Sequence, residues 1–594
     1  MLHALRDYGA KLGGEPGFKS REVRWCIQLS EAGQLLNIVP LGDGKAGVML
    51  EACPDMHAMN SGGKAHFLVE SAQTIALHFK EGEDSAKVDS ATARHHFYSK
   101  MLARAATDLA VLSPLSKLLC DPITFDQIRA MMVAKRIKPA DWVTWQVGAL
   151  DPREDTGVQQ WWRDWRTQAL GGGVETGDSL PAGSMLCLLT GEPVEPLLTQ
   201  PKITGLSGVG GLSMGDVMVG FDKAAFQSYG LEKSTNAAMG EAPAQQYVDA
   251  LNHLIRRQKE ATGKNPSRRT NAMMVYWFKE LIPPEEDPFS MLYGMETAEG
   301  QAASALLQAR KLLEAIRSGS RPTLGNNHYY AMTLSGASGR VMVRDWTDGQ
   351  FSQLVSHVEA WFSDMAIVHR EGGNRLAPDP KFLAVGGSLV RELKDLPAST
   401  TSVLWHAAVA QLPIPQPLMA QALDRFRSAI VKDETFSHAR MGLIKAYFVR
   451  QPQGKALMQP YLNPDHPDPA YHCGRLLAVL AKLQQAALGD VGAGVVQRFY
   501  AAASTAPGLT FGRLVGNSRN HLGKLEGGLS YWYEQQIAEV MKKLGDQFPR
   551  TLNLEGQGLF ALGYYQQLAA LRTPKKDSSN SNSNSNSNTE GESK

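Results

Sequence analysis

The sequence predicts an α+β multidomain protein, with mixed α/β N-terminal and central regions followed by an all-α C-terminal helical bundle. Three observations carry this. The chain has 594 residues, more than one hydrophobic core usually serves, and 43% of them are apolar, enough to fill several cores. Short runs of strand character, RWCIQL, DWVTWQV, MMVYWFKE, NHYYAMTLS and GRVMVRDW, all fall before Gly387. Beyond Gly387 the apolar positions recur at helical spacing.

Taken in order, residues 1–180 read as an N-terminal α+β domain. RWCIQL and DWVTWQV supply strands, SKMLARAATDLAVLSPLSKLL supplies a helical run, and Gly171, Gly172 and Gly173 mark a linker or long loop. Residues 181–386 read as a central α+β domain. In it MLCLL and DVMVGF predict two strands bracketing a glycine-rich loop, and a helix is expected from about Ala298 to Ile316. With FSQLVSHVEAWFSDM as a further helix, the order strand, helix, strand, strand, helix is compatible with a split ferredoxin-like unit. Residues 387–458 form a helical connector carrying VLWHAAVAQL, PLMAQALDRFRSAIVK and HARMGLIKAYFVR. The stretch QPYLNPDHPDPAY separates it from the C-terminal helical bundle of residues 459–574. Residues 575–594 are a Ser/Asn-rich repeat that cannot bury enough apolar surface to fold, so a disordered tail is expected.

Composition narrows the function classes. No apolar run approaches the roughly 20 residues a membrane span needs, and MLHALRDYGAKLGG lacks a basic segment followed by an apolar core, so a cytoplasmic location without membrane attachment is expected. Cys26, Cys53, Cys120, Cys187 and Cys473 are scattered and never paired as C-x-x-C, which speaks against a disulfide framework or a zinc finger. The net charge of +2 does not mark the whole chain as a nucleic-acid binder. Local clustering does better: between His253 and Ala272, Arg256, Arg257, Lys259, Lys264, Arg268 and Arg269 face Glu260 alone. Such a segment neutralises phosphates, and it equally suits a solvated helix end.

Catalytic signatures are missing. There is no G-x-x-x-x-G-K-[ST] to cradle a nucleotide. Gly208, Gly210 and Ser213 approach a dinucleotide fingerprint, but Ser replaces the last glycine and a strand rather than a helix is expected to follow. His95 and His96 lack the H-E-x-x-H spacing of a catalytic zinc site. Residues 211–215, GLSMG, match G-x-S-x-G without the strand before and helix after that a nucleophile elbow requires. No metal or other cofactor is expected, and the chain reads as a non-enzyme. Dispersed Ser, His and Asp can still converge in space, which leaves a DNA-processing enzyme with dispersed catalytic residues as the alternative.

What is present suits gripping a backbone. The loop after Pro201 carries Lys202, Thr204, Gly205, Ser207, Gly208, Gly210, Gly211, Ser213 and Gly215, so its amides can approach phosphates or base edges closely. A ligand-free hairpin loop fits the same residues. Asn236, after Lys233, Ser234 and Thr235, can cap a loop or bond a base. Lys64, in NSGGKAHFL, is placed for a phosphate contact with Phe67 buried beneath it.

The block spanning residues 187–252 resembles, at Cys187, Thr190, Gly191, Glu192, Pro201, Lys202, Ile203, Gly205, Gly208, Phe221, Ala225, Phe226, Ser228, Tyr229, Gly230, Asn236, Ala237, Ala250, Leu251 and Asn252, the signature region of the large subunit of the type I-C CRISPR interference complex, the Csd-one family of Cascade proteins. VYWF at 275–278, Leu334-Ser335, RVMVR at 340–344, GLIKAY at 442–447, GRL at 474–476 and LEGQGLFALGYY at 554–565 extend the resemblance almost end to end. It departs at Gln200, where the family often has His, at Thr204, where it has Lys, and at His66, where it has Asn.

This resemblance implies a noncatalytic large subunit at one end of a crRNA-bearing assembly. It would recognise the PAM in duplex DNA, aid R-loop formation, hold the nontarget strand and recruit the helicase-nuclease. Its implied partners are crRNA, the backbone subunits of Cascade, the small subunit, target double-stranded DNA and the helicase-nuclease effector. Because guide pairing reads the target, such a protein needs amide-rich loops and cations rather than a catalytic constellation. The residues expected at the PAM are Lys64, Lys202, Gly205, Ser207, Gly208, Gly210, Ser213 and Asn236. Those expected on the nontarget strand are Arg256, Arg257, Lys264, Arg268, Arg269, Arg513, Arg519 and Lys524. The resemblance also implies that the C-terminal helices are made separately as the small subunit, with Met458 the first and Met441 the second choice of internal start.

Overall fold

The computed structural model describes residues 1–42, 47–56, 63–169, 184–262, 270–293, 304–489, 494–545 and 547–573. Two compact units divide the chain: Met1–Ser207 with Gly211–Ile255 and Gly336–Val341, and Gly208–Gly210 with Arg256–Ser335 and Met342–Lys594.

The first unit is built on a four-stranded sheet in the order Leu35–Pro40, Trp25–Leu29, Trp142–Val147, Glu70–Ser71. Trp25–Leu29 pairs antiparallel with Leu35–Pro40 and parallel with Trp142–Val147. A parallel pair needs a long crossover, supplied here by the helices Ser85–Asp108, Ser113–Cys120 and Pro122–Ala134. Trp145 Nε1 donates to the Tyr98 hydroxyl at 2.8 Å and pins the first of these helices to the sheet. Phe18–Val23 and Val48–Pro54 form a separate antiparallel ribbon. Phe67 is buried and stacks on Trp162 with ring centroids 5.6 Å apart. The helix Glu241–Thr262 starts in this unit, where Tyr247, Val248, Leu251 and Leu254 are buried. Buried Arg166 on the helix Thr156–Ala169 fixes its first turn by an ion pair with Glu241.

Here the sequence expectation needs correction. MLCLL yields a two-residue strand, Met185–Leu186, paired with Pro193–Val194. DVMVGF yields isolated bridges at Asp216 and Val217. The reason is local: Asp216 pairs with Ile203 of the same loop and Val217 with the hairpin turn at Gly339 and Val341, so no continuous partner strand extends the ladder.

The second unit contains an antiparallel sheet in the order Arg340–Gln350, His328–Ala337, Met273–Phe278, whose hairpin turn, 336–341, groups with the first unit. The expected order of strands and helices is present, with helices at Ala305–Arg317 and Phe351–Met365. Among the described residues this sheet has three strands, short of a complete ferredoxin-like sheet. Helices then follow to Leu571, among them Ala398–Val409, Gln416–Val431, His438–Val449, Pro469–Leu488, Pro507–Leu522, Gly527–Leu544 and Leu554–Leu571. One core of buried side chains runs through this unit from Met274 to Ala569, taking in Trp405, Phe426, Met458, Leu476 and Phe560, and it does not break at residue 459. Among the described residues no helix is long and apolar enough to cross a membrane. Gly171, Gly172, Gly173 and the 575–594 tail lie outside the described residues.

Candidate nucleic-acid interface

Side chains behind the glycine-rich loop fix its shape. Ile203 and Asp216 exchange two backbone hydrogen bonds of 2.8 Å at its neck. Buried Asp216 turns its carboxylate inward and accepts from the Leu212 amide at 3.1 Å. A Cβ on Gly211 would stand 2.3 Å from that carboxylate, so glycine is required there by close approach. From the helix Glu241–Thr262, Asn252 Oδ1 accepts from the Thr204 amide at 2.8 Å and its hydroxyl at 3.2 Å, while Nδ2 donates to the Lys202 carbonyl at 3.4 Å. With Ile203 and Leu206 buried as anchors, the loop is braced, while Lys202, Ser207, Gly208, Gly210, Ser213 and Met214 are exposed.

Gly205 and Gly210 have φ of +93° and +91°, a backbone that favours glycine. Gly208 does not, and a Cβ there would meet nothing within 4 Å. Folding therefore places no demand for glycine at position 208.

Upstream of the loop, the CLLTGE turn closes through a bond from the Gly191 amide to the Cys187 carbonyl at 2.9 Å. Burial pushes the Cys187 thiol up, but hydrogen bonds from Thr190, Gly240 and Leu189 outweigh it and hold the thiol below its usual value. Gln200 is buried, and its side-chain oxygen accepts from the Tyr247 hydroxyl at 3.4 Å.

Asn236 is committed to its own turn. Its Oδ1 accepts from the Ser228 amide at 3.1 Å, and Nδ2 donates to the Leu231 and Lys233 carbonyls, each at 2.9 Å. Both amide protons go to backbone carbonyls, so Asn236 braces its own turn. The turn it braces presents Tyr229, 99% exposed, a residue the expected site did not include. The hairpin turn 336–341 adds Arg340, which pairs with Asp222 at 2.8 Å and lies 4.8 Å over the Phe226 ring. That bond, with the charge of Arg340, holds the exposed Asp222 carboxyl below the usual range.

Lys64 is half-buried beside a buried ionic cluster. His66 Nδ1 lies 2.6 Å from Asp55 Oδ1, Arg21 lies 3.4 Å from the same carboxylate, and the Arg21 guanidinium sits 3.8 Å over the Trp142 ring. Burial would raise Asp55, but His66 and Arg21 hold it far below the carboxylate range.

The expected strand-holding cations divide. Arg257 donates to the Tyr276 carbonyl with its guanidinium 4.8 Å from the Tyr276 ring, so it packs on the strand Met273–Phe278. Arg256 is half-buried. Lys264, Arg268 and Arg269 lie outside the described residues. Arg513, Arg519 and Lys524 are exposed. Arg513 lies 5.9 Å over the Phe499 ring. Six helical residues apart, Arg513 and Arg519 point about 120° from each other, so they do not form one stripe.

Among the described residues no group of three or more His, Cys, Asp or Glu is placed to hold a metal ion. Residues 5–572 match the family CRISPR-associated protein (Cas_Csd1). The chain belongs to this family. As a Cas_Csd1 protein it is a large subunit of type I-C Cascade. No curated protein matches it. Tyr229, Phe226 and Arg340 all lie in the motifs that carried the family resemblance. Sequence reasoning passed over Tyr229 and Phe226 because it sought cations and small residues, and over Arg340 because its partners Asp222 and Phe226 lie more than a hundred residues away along the chain.

Proposed function

We propose that this Cas_Csd1 chain is the noncatalytic large subunit that recognises the PAM in duplex DNA, aids R-loop formation, holds the nontarget strand and recruits the helicase-nuclease. Its partners are then crRNA, the backbone subunits, the small subunit and target DNA. The observation that carries the reading is a family match across residues 5–572 combined with a loop that is exposed yet braced. Such a loop pays its ordering entropy before DNA arrives, and Gly208 lets a phosphate or base edge approach the backbone closely. Lys202 supplies the cation, and Arg513, Arg519 and Lys524 serve the displaced strand at separate points.

Binding of PAM-bearing duplex by the crRNA-loaded complex should fall steeply with salt. Lys202→Ala should weaken it and lower the log–log salt slope by about 1. Mobility-shift titrations at several ionic strengths read both quantities, and a flat salt response rejects the reading.

The C-terminal residues 459–574 are proposed to be made separately as the small subunit, from Met458. Met458→Leu should remove a short C-terminal product detected with a C-terminal tag. Persistence of that product points to Met441 or denies an internal start.

A further inference from the structure

We infer that Tyr229 is a stacking platform for an unpaired nucleobase of the bound DNA. This deepens the proposed function and rests on it. Ser228 to Leu231 form a tight turn closed by the Leu231 amide donating to the Ser228 carbonyl at 2.9 Å. Both central residues have positive φ, +54° at Tyr229 and +72° at Gly230. Those are the signs of a type I′ turn, whose first central position belongs to Asn, Asp or Gly because a bulky side chain there is strained. A tyrosine in that position needs a compensating contact, and this one has none within the unit, since its side chain lies almost wholly in solvent.

The turn is nevertheless over-determined. Asn236 ties it at the Ser228 amide and at the Leu231 and Lys233 carbonyls, so the ring is held outward on a fixed mount. Backbone conformations of this kind, held by surrounding bonds, cluster at ligand clamps. Tyrosine loses little conformational freedom on binding, and every base offers a face to stack on. Three residues earlier, Phe226 is 42% exposed under the Arg340 guanidinium, a second flat surface on the same segment. Exposed Lys223 and Lys233 flank the two and can meet the phosphates of a stacked strand.

The test compares Tyr229→Ala, Tyr229→Trp and Tyr229→Asn in the crRNA-loaded complex. Tyr229→Ala should weaken target-duplex binding about tenfold to a hundredfold, with an unchanged salt slope because no phosphate contact is lost. Tyr229→Trp should retain binding. Tyr229→Asn suits the turn, so it should melt no earlier than the parent and still lose affinity. Wild-type affinity in Tyr229→Ala overturns the inference while leaving the DNA-binding function standing. Failure of the parent complex to bind DNA at all overturns that function first. Complexes of Tyr229→Ala that do not assemble assign the ring to a protein partner and also overturn it.

Discussion

Gly474→Ala is expected to destabilise the second unit by about 3 kcal/mol or more, lowering its melting temperature by roughly 5 °C. The helices Pro469–Leu488 and Leu554–Leu571 meet through reciprocal glycines. A Cβ on Gly474 would stand 2.0 Å from the Phe560 carbonyl oxygen, and one on Gly563 would stand 2.0 Å from that of Tyr471. Both obstacles are backbone, so neither side can yield without moving a whole helix. Next to this contact Tyr471 bonds Gln566 at 2.5 Å and Arg475 bonds Gln567 at 2.8 Å, polar pairs that depend on the same spacing. Gly512→Ala is the matched control: it is also a helical glycine, but its added methyl would meet nothing within 4 Å. There the change should stabilise by about 0.5–1 kcal/mol through helix propensity. Thermal unfolding of both variants decides the matter, and equal melting temperatures would refute the interlock.

Asp364→Ala should cost about 3–5 kcal/mol. Asp364 and Arg450 are 3% and 5% exposed and pair at 2.9 Å, joining the end of helix Phe351–Met365 to the end of helix His438–Val449. Arg450 also donates to the Ala407 and Leu412 carbonyls at 2.5 and 2.6 Å, so one guanidinium holds three segments. Burial pushes Arg450 below its usual value and Asp364 opposes that shift. Removing the carboxylate therefore strands a cation that cannot reach water. Arg450→Met with Asp364→Leu should cost less than either Arg450→Met or Asp364→Leu alone, because desolvation is relieved together with attraction. Denaturant titration of the double-mutant cycle measures this, and additive losses would refute the coupling.

The elements were legible wherever hydrophobic period and length agreed. FSQLVSHVEAWFSDM became the helix Phe351–Met365 residue for residue, and RWCIQL and DWVTWQV became neighbouring strands. The strand expected at 216–221 failed because strand character needs a partner, and pairing is not written in a single segment. The same limit applies to the interface. Lys202 and the glycine loop stood out by composition. That Asn252, 48 residues beyond Thr204, braces the loop, and that Asn236 braces the turn carrying Tyr229, emerged from contacts in space. Arg257 shows the reverse case, a cation that its charge suggested for phosphate and that packing spends on Tyr276.

Fold class, the succession of helices, the lack of a local catalytic signature and family membership can all be read along the chain, since each depends on residue type and near-neighbour spacing. Which polar side chains remain available to a ligand depends on hydrogen bonds between distant segments. That count exists once the chain has folded, because burial satisfies some donors internally and leaves others, such as Lys202, facing outward.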